Sequence, residues 1–191
     1  PYTTLFRSDR DAVKALGQKA EAEFGGVDIL VNNAGITRDG LFVRMSDEDW
    51  DSVIEVNLNA MMRLTRELTH PMMRRRFGRI VNITSLAGQN GGTVASAHYA
   101  AAKAGATMLS KYFAQQLAGT GVTVNCISPG PISTARGRLS AEQIARIEKL
   151  VPVGRFGEAD EIAAAAALLA SDQGGFFVGA TLDLNGGLLM R

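Results

Sequence analysis

Short, almost continuously apolar segments alternate along this chain with longer amphipathic ones, and this alternation constrains its fold more than any other feature. The apolar runs have strand length and lie at residues 27–31, 79–84, 122–127 and 181–184. Segments with helical periodicity lie at residues 9–24, 47–70, 98–118, 140–150 and 158–171. Strands that are buried on both faces are typical of parallel sheets, and alternation with helices predicts βα units. The predicted fold class is therefore α/β, a doubly wound parallel sheet in a single domain over residues 9–191.

Composition and charge exclude several classes of protein. The 191 residues include 20 basic and 19 acidic side chains, so the net charge of +1 produces no strong field toward nucleic acid or a membrane surface. The longest apolar run spans residues 162–170, well short of the ~20 residues that a membrane-spanning helix needs. The single cysteine, Cys126, leaves no internal disulfide and favours a reducing compartment, the cytoplasm. We expect no nucleic acid, no membrane and no metal site.

The first eight residues, PYTTLFRS, do not begin with methionine. This octapeptide matches the in-frame translation of a common sequencing-adapter oligonucleotide, so we interpret residues 1–8 as an assembly artefact on a truncated gene. The alternative is a genuine turn and short strand. A genomic codon run at this position would exclude the artefact.

A tyrosine and a lysine one helical turn apart are candidates for chemistry. Tyr99 and Lys103 are four residues apart in a predicted helix and therefore share one face. A phenol titrates near ~10, and a fixed ammonium beside it stabilises the phenolate, so we expect Lys103 to lower the pKa of Tyr99. Such a pair suits general acid–base catalysis. In isolation it is more typical of a helix surface, so its context decides between the two interpretations.

Polar residues or tight turns follow three of the predicted strands. Asn32 and Asn33 follow the first, Ser85 the second, and Pro129 and Gly130 the third. The carboxyl ends of parallel strands meet at one edge of the sheet, where ligands of α/β proteins bind. The sequence therefore predicts a functional site at this edge.

Two further side chains complete the predicted site. Ser85 precedes Tyr99 by 14 residues across a glycine-rich loop, so its hydroxyl can reach a substrate carbonyl beside the phenol. Asn57 interrupts the apolar face of the preceding helix, and a buried amide without a partner costs about 1–3 kcal/mol. We therefore expect Asn57 to have a hydrogen-bonding partner.

Taken together, these motifs resemble one enzyme family, the short-chain dehydrogenase/reductases, over residues 9–191. The matching segments are DILVNNAG at 28–35, NL at 57–58, the serine at 85, YAAAK at 99–103, PGPIST at 129–134 and DLNGG at 183–187. The segment NNAGITRD at 32–39 looks most like 3-oxoacyl-(acyl-carrier-protein) reductases and the related acetoacetyl-CoA reductases. The resemblance implies a Rossmann-like fold.

The resemblance also implies a role for each matched residue. Tyr99 donates a proton to a ketone oxygen as hydride arrives from a nicotinamide, and Lys103 binds the nicotinamide ribose and tunes Tyr99. Ser85 holds the carbonyl, and Asn57 positions a water in a proton relay. The implied cofactor contacts are Asn32, Asn33, Ala34, Gly35, Tyr99, Lys103, Pro129, Gly130, Ile132 and Thr134.

The implied reaction is NADP-dependent reduction of a 3-oxoacyl thioester, as in fatty-acid synthesis. Within the family, the alternative is reduction of acetoacetyl-CoA or turnover of another small alcohol or a sugar. Outside catalysis, the alternative is a partner subunit or an inactive fragment. NAD stays open as the cofactor, because the residues that discriminate follow a strand that this sequence lacks.

The resemblance implies two kinds of protein partner. Family members form homotetramers, here through helices 47–70 and 98–118, and ketoacyl reductases dock an acidic carrier protein with basic residues near the mouth of the active site. Arg76 matches one docking position, whereas Thr120 occupies the second. We also expect His98, next to Tyr99, to face the surface or a loop.

The chain departs from the family at its beginning. The family starts with a strand and a glycine-rich turn that binds the cofactor pyrophosphate at a helix N-terminus, and neither precedes Asp9. The missing βαβαβ segment corresponds to roughly 50–60 residues. Its absence leaves the strand at 27–31 as an apolar edge, which is an aggregation hazard.

Because the pyrophosphate-binding turn is missing, we expect this polypeptide to bind nicotinamide cofactors weakly and to catalyse poorly. Titration of cofactor fluorescence measures this affinity directly. A micromolar dissociation constant would refute the expectation.

Overall fold

The computed structural model describes residues 9–92 and 95–191, without the side chains of Arg136 and Arg138. The interpretation of residues 1–8 as an artefact lies outside the described residues. Among the described residues, no helix combines the length and the apolar character that crossing a membrane requires.

Four parallel strands form a single sheet in the described part of the chain. They are β1 (Ile29–Asn32), β2 (Gly78–Ile83), β3 (Val122–Pro129) and β4 (Thr181–Leu184), and they are hydrogen-bonded in the order of the chain. The register places Asn32 beside Asn82, Asn82 beside Cys126, and Cys126 beside Thr181. All four carboxyl ends therefore lie at the same edge, which confirms the predicted parallel α/β fold.

Helices connect the strands at the predicted places. The helices are α1 (Arg10–Phe24), α2 (Asp47–Ile54), α3 (Ala60–Arg75), α4 (Ala87–Asn90), α5 (Ala97–Leu117), α6 (Ala141–Leu150) and α7 (Ala159–Ala170). Three 3-10 turns lie at Phe42–Arg44, Ser133–Arg138 and Asp172–Phe176. The helix predicted over 47–70 is interrupted by a π-helical turn, Glu55–Asn59, and continues past Pro71.

Apolar side chains cover both faces of the sheet. On one face, α1, α3 and α5 pack against β1, β2 and β3 through a cluster that includes Leu68, Met72 and Ile80. On the other face, α7 contributes Leu169 to a cluster with Val81. Ile80 and Val81 are consecutive, so their side chains point to opposite faces, and both are fully buried. This two-sided burial explains why β2 has consecutive apolar residues.

Among the strands of the described residues, β1 is the outermost on one side of the sheet, as the sequence predicts. Its alternate residues Ile29 and Val31 are 49% and 42% exposed, whereas Leu30 is buried against the helices. An exposed apolar edge strand offers unpaired backbone groups to other chains.

Met72 connects α3 to the start of β2 and generates a prediction about stability. Its side chain is fully buried, and its sulfur lies 2.7 Å from where a Cβ would stand on Gly78. We expect Met72→Ala to lower the free energy of unfolding by about 2–5 kcal/mol, because it leaves a cavity in the core. Urea denaturation measures the loss. Met190→Ala is the control, since Met190 is 79% exposed and its truncation should cost no more than about 0.5 kcal/mol.

Candidate active site

A cleft of about 500 Å³ opens at the carboxyl ends of β1, β2 and β3. It brings together most of the residues that the sequence singles out. Those that line it are Asn33, Gly35, Ser85, Tyr99, Lys103, Pro129, Gly130, Ile132 and Thr134. Asn32, Ala34 and Asn57 are not among the lining residues. The cleft also includes the unpredicted neighbours Thr37, Arg38 and Thr84.

The loop after β2 carries Ser85 to the phenol of Tyr99. The Ser85 hydroxyl accepts a hydrogen bond from the Ala87 backbone N–H at 3.1 Å, and it also hydrogen-bonds the Tyr99 side chain. The backbone N–H of Leu86 donates to the carbonyl of Pro129 at 3.0 Å, which ties this loop to the end of β3. Two hydroxyls thus stand side by side in the cleft.

The pKa of Tyr99 is raised above its ordinary value of 10.0, so the expectation that Lys103 lowers it is wrong for this structure. Burial of the phenol is the main cause, and the negative charge of Asp39 adds to it, while the hydrogen bond with Ser85 acts in the opposite direction. Tyr99 is therefore a neutral phenol at neutral pH, which is the form that donates a proton.

The position of the Lys103 ammonium explains this difference. Its Nζ donates to the carbonyl oxygen of Ile83 at 2.7 Å and lies 5.6 Å from the centre of the Tyr99 ring. The side chain is buried, and its charge is directed at the end of β2. The sequence predicts the shared helical face of Tyr99 and Lys103 but not this backbone acceptor.

Asn57 lies in the π-helical turn and is buried, as expected, with hydrogen-bonding partners. Its Nδ2 donates to the Ile36 carbonyl at 2.8 Å, and its Oδ1 accepts from the Ile36 N–H at 2.9 Å. Only glycine fits at position 35, because a Cβ there would stand 2.4 Å from Asn57 Oδ1. Asn57 therefore fastens the loop after β1 to the helix behind it. Its role in a water relay remains a prediction.

Comparison with known proteins shows the family. A family model described as "Enoyl-(Acyl carrier protein) reductase" matches residues 8–189. The chain is 56% identical over 184 residues to Nodulation protein G of Rhizobium sp. (strain N33), covering 96% of this chain and 75% of that protein. It is 49% identical over 186 residues to the 3-oxoacyl-[acyl-carrier-protein] reductase FabG of Escherichia coli (strain K12), with the same two coverages.

The chain belongs to the short-chain dehydrogenase/reductase family. It is an oxidoreductase with a Rossmann-like fold, close to the 3-oxoacyl-(acyl-carrier-protein) reductases. A nicotinamide cofactor follows from membership of the family.

Asn32 takes part in a buried network instead of lining the reductase cleft. Its Nδ2 donates to Asn82 Oδ1 at 2.8 Å and to Thr65 Oγ1 at 3.3 Å. The Asn82 Nδ2 in turn donates to the Ser110 hydroxyl at 2.7 Å. These bonds join β1, β2, α3 and α5 beneath the cleft. Contact between the Asn32 side chain and a cofactor remains a prediction that this geometry does not favour.

His98 is fully buried, so the expectation of a surface or loop-facing residue is wrong. Its Nδ1 accepts from the backbone N–H of Tyr99 at 2.8 Å and thereby caps the start of α5. The usual capping residue, Ser96, is occupied elsewhere, because its hydroxyl accepts from the Gly40 N–H at 2.9 Å. Nothing in the local sequence indicates that His98, and not Ser96, caps the start of this helix.

A second network that the sequence analysis missed fastens α4, the helix that follows Ser85. The Gln89 amide donates to the Ser128 hydroxyl at 2.7 Å and to a carboxylate oxygen of Asp183 at 2.6 Å. The other Asp183 oxygen accepts from Arg191 at 2.8 Å. The network connects the serine loop with β3, β4 and the last residue of the chain.

Arg76 does not lie at the mouth of the cleft in this chain. It ends α3 just before β2, and a Cβ on Gly121 would clash with its carbonyl oxygen, so Arg76 and Thr120 are neighbours at the amino edge of the sheet. Six strand residues at ~3.3 Å each separate this edge from Ser85, about 20 Å in all. Arg76 and the cleft therefore lie at opposite edges of the sheet within one chain.

The charge of Asp39 generates a prediction about proton affinity. Asp39→Asn should lower the pKa of Tyr99, because it removes the negative charge that disfavours the phenolate. Phenolate absorbance recorded against pH measures this, with Tyr99→Phe in each background to isolate the signal of Tyr99. Asp160→Asn, which removes the same charge from α7, is the control and should leave the titration unchanged. A pKa that stays constant or rises in Asp39→Asn would contradict the prediction.

Proposed function

We propose that this chain reduces a 3-oxoacyl thioester to the 3-hydroxyacyl form, with reduced NADP as the hydride source. The observation that carries the proposal is the pair of hydroxyls of Ser85 and Tyr99 beside the buried Lys103 in one cleft. The similarity to 3-oxoacyl reductases supports the substrate class, and fatty-acid synthesis in the cytoplasm is the setting that this substrate implies.

In the proposed mechanism, Ser85 and Tyr99 both hydrogen-bond the oxygen of the substrate ketone. A nicotinamide bound in the cleft would supply the hydride that the carbonyl carbon receives. Negative charge then develops on the oxygen, and the neutral phenol of Tyr99 delivers its proton there. Because its pKa is raised, Tyr99 stays protonated until the charge on the oxygen makes transfer favourable.

The residues around the cleft fit the nicotinamide end of a cofactor. Gly35 and Gly130 both line the cleft, and each is packed so closely against the protein, on Asn57 and Asn185 respectively, that a Cβ would stand 2.4 or 2.8 Å from those residues. Asn33, Ile132 and Thr134 would line the nicotinamide, and the Lys103 ammonium would bind its ribose hydroxyls. In this proposal Lys103 keeps one N–H on the Ile83 carbonyl and uses its remaining N–H donors for those hydroxyls, while Asn57 holds the opposite wall through Ile36.

The choice of NADP over NAD rests on the similarity to 3-oxoacyl reductases. The Nodulation protein G relatives and the enoyl-reductase description of the family model make a substrate panel necessary. It should hold acetoacetyl, 2,3-unsaturated acyl and polyol substrates.

We further propose assembly into a homotetramer through helices 47–70 and 98–118. An apolar groove between α3 and α5 is lined by Met73 and Phe113, among others, and α5 also exposes 63% of Met108 and 57% of Tyr112. Large exposed apolar side chains on one helix face are typical of interfaces. The same assembly would let Arg76 of one copy approach the cleft of another, where an acidic acyl carrier protein could dock.

Substitution of the phenol tests the proposed function in the full-length product of the gene. Tyr99→Phe should lower the rate of acetoacetyl thioester reduction about 100-fold or more, because the proton donor is lost while the ring is kept. Oxidation of the reduced cofactor, followed by absorbance, measures the rate. Tyr112→Phe, on the exposed side of the same helix, should retain full activity. Equal activity of Tyr99→Phe and the wild type would refute the mechanism and favour a non-catalytic partner subunit.

A further inference from the structure

The charged side chains that line the cleft are cationic, while the Asp39 carboxylate acts on Tyr99 from outside the lining. Two cationic side chains, Arg38 and Lys103, line the cleft, and none of the described lining residues is acidic. Lys103 is buried and directed at the Ile83 carbonyl, so its charge acts inside the cleft. Arg38 is exposed and therefore acts where the cleft meets solvent. An uncharged 3-oxoacyl group does not account for this outer cation.

The backbone holds Arg38 at this place. Ser96 lies three residues before Tyr99, and its hydroxyl accepts from the Gly40 N–H at 2.9 Å and approaches the Arg38 carbonyl at 3.4 Å. The carboxylate of Asp39 faces the same hydroxyl at 3.4 Å. The loop is thus fastened to the start of the helix that carries the phenol, and Arg38 keeps a defined position relative to Tyr99.

Among the described residues, the guanidinium of Arg38 makes one ion pair, and this pair is long. It joins Arg38 to the Asp49 carboxylate at 3.9 Å, and the two side chains are 53% and 44% exposed. Exposed ion pairs at this distance contribute little, so an incoming anion can replace Asp49 at small cost. Guanidinium groups bind phosphate, like carboxylate, through two parallel hydrogen bonds, so a phosphate group is an anion that this side chain can hold.

We propose that Arg38 binds the phosphate of the pantetheine arm that carries the acyl thioester. The inference rests on the proposed function and adds a recognition element for its substrate. Coenzyme A and an acyl carrier protein both attach the thioester to a phosphopantetheine, so the proximal phosphate is the shared feature. With the ketone at Ser85 and Tyr99, the flexible arm leaves the cleft past Arg38. The inference gives this reductase a way to prefer carried substrates over free ketones.

Three ligands test the proposal by calorimetric titration of the full-length gene product. They are the acetoacetyl thioesters of pantetheine, phosphopantetheine and coenzyme A, of which the first has no phosphate. Wild-type protein should bind both phosphorylated ligands about tenfold more tightly than the pantetheine ester, as a charged hydrogen bond implies. Arg38→Gln should remove most of this preference and leave affinity for the pantetheine ester unchanged.

Arg44→Gln is the matched control, since Arg44 lies in the same loop, carries the same charge and does not line the cleft. It should retain the preference for phosphorylated ligands. Four results would overturn the proposal: no preference in the wild type, an equal loss for all three ligands, a loss confined to coenzyme A, or an equal effect of Arg44→Gln. Weaker cofactor binding by Arg38→Gln with unchanged thioester affinity would assign the charge to the cofactor and also overturn it. Because ligand binding needs no hydride transfer, this experiment is independent of the role of Tyr99.

Discussion

The hydrogen bond from Lys103 to the Ile83 carbonyl is the contact on which the rest of the site depends. It joins the helix that carries Tyr99 to the end of the strand that delivers Ser85, at a distance of 2.7 Å. The segment after Ser85 packs directly on the same helix, because a Cβ on Gly88 would stand 2.6 Å from the Ala104 backbone nitrogen. The Lys103 ammonium, the end of β2 and α5 therefore hold one another in place. The Ile83 carbonyl at the strand end offsets part of the cost of burying this ammonium.

Much of this architecture can be predicted from local sequence patterns. Continuous apolar runs predict the parallel strands, because both faces of the sheet are covered, and the four-residue spacing predicts that Tyr99 and Lys103 share a face. The place of Ser85 in the site could be predicted only by assuming that the carboxyl ends of parallel strands meet at one edge of the sheet. These features depend on helical and strand periodicity and on the order of the elements, which short stretches of sequence determine.

The features that the sequence did not predict depend on contacts between segments that are distant in the chain. The burial of His98 follows from the engagement of Ser96 by Gly40, 56 residues away in sequence. The raised pKa of Tyr99 reflects burial and Asp39, whereas spacing alone suggested control by Lys103. Arg76 illustrates the same limit, because a motif match gives its identity but not the edge of the sheet at which it lies. Sequence patterns predict elements well and predict the electrostatic surroundings of a side chain poorly.

The π-helical turn at Glu55–Asn59 has a consequence for how this fold tolerates change in chain length. A π-turn accommodates one residue more than regular α-helix, and each residue rotates a helix by about 100°. Deleting a single residue there would regularise the helix and at the same time swing Asn57 away from Ile36. The same extra residue rotates the inward-facing side of α3 relative to that of α2. The segment can therefore turn one side toward α5 and another toward α1. At this turn, a regular helix and the hydrogen bonds of Asn57 beside the cleft are mutually exclusive, so the chain length of the segment is fixed by the site.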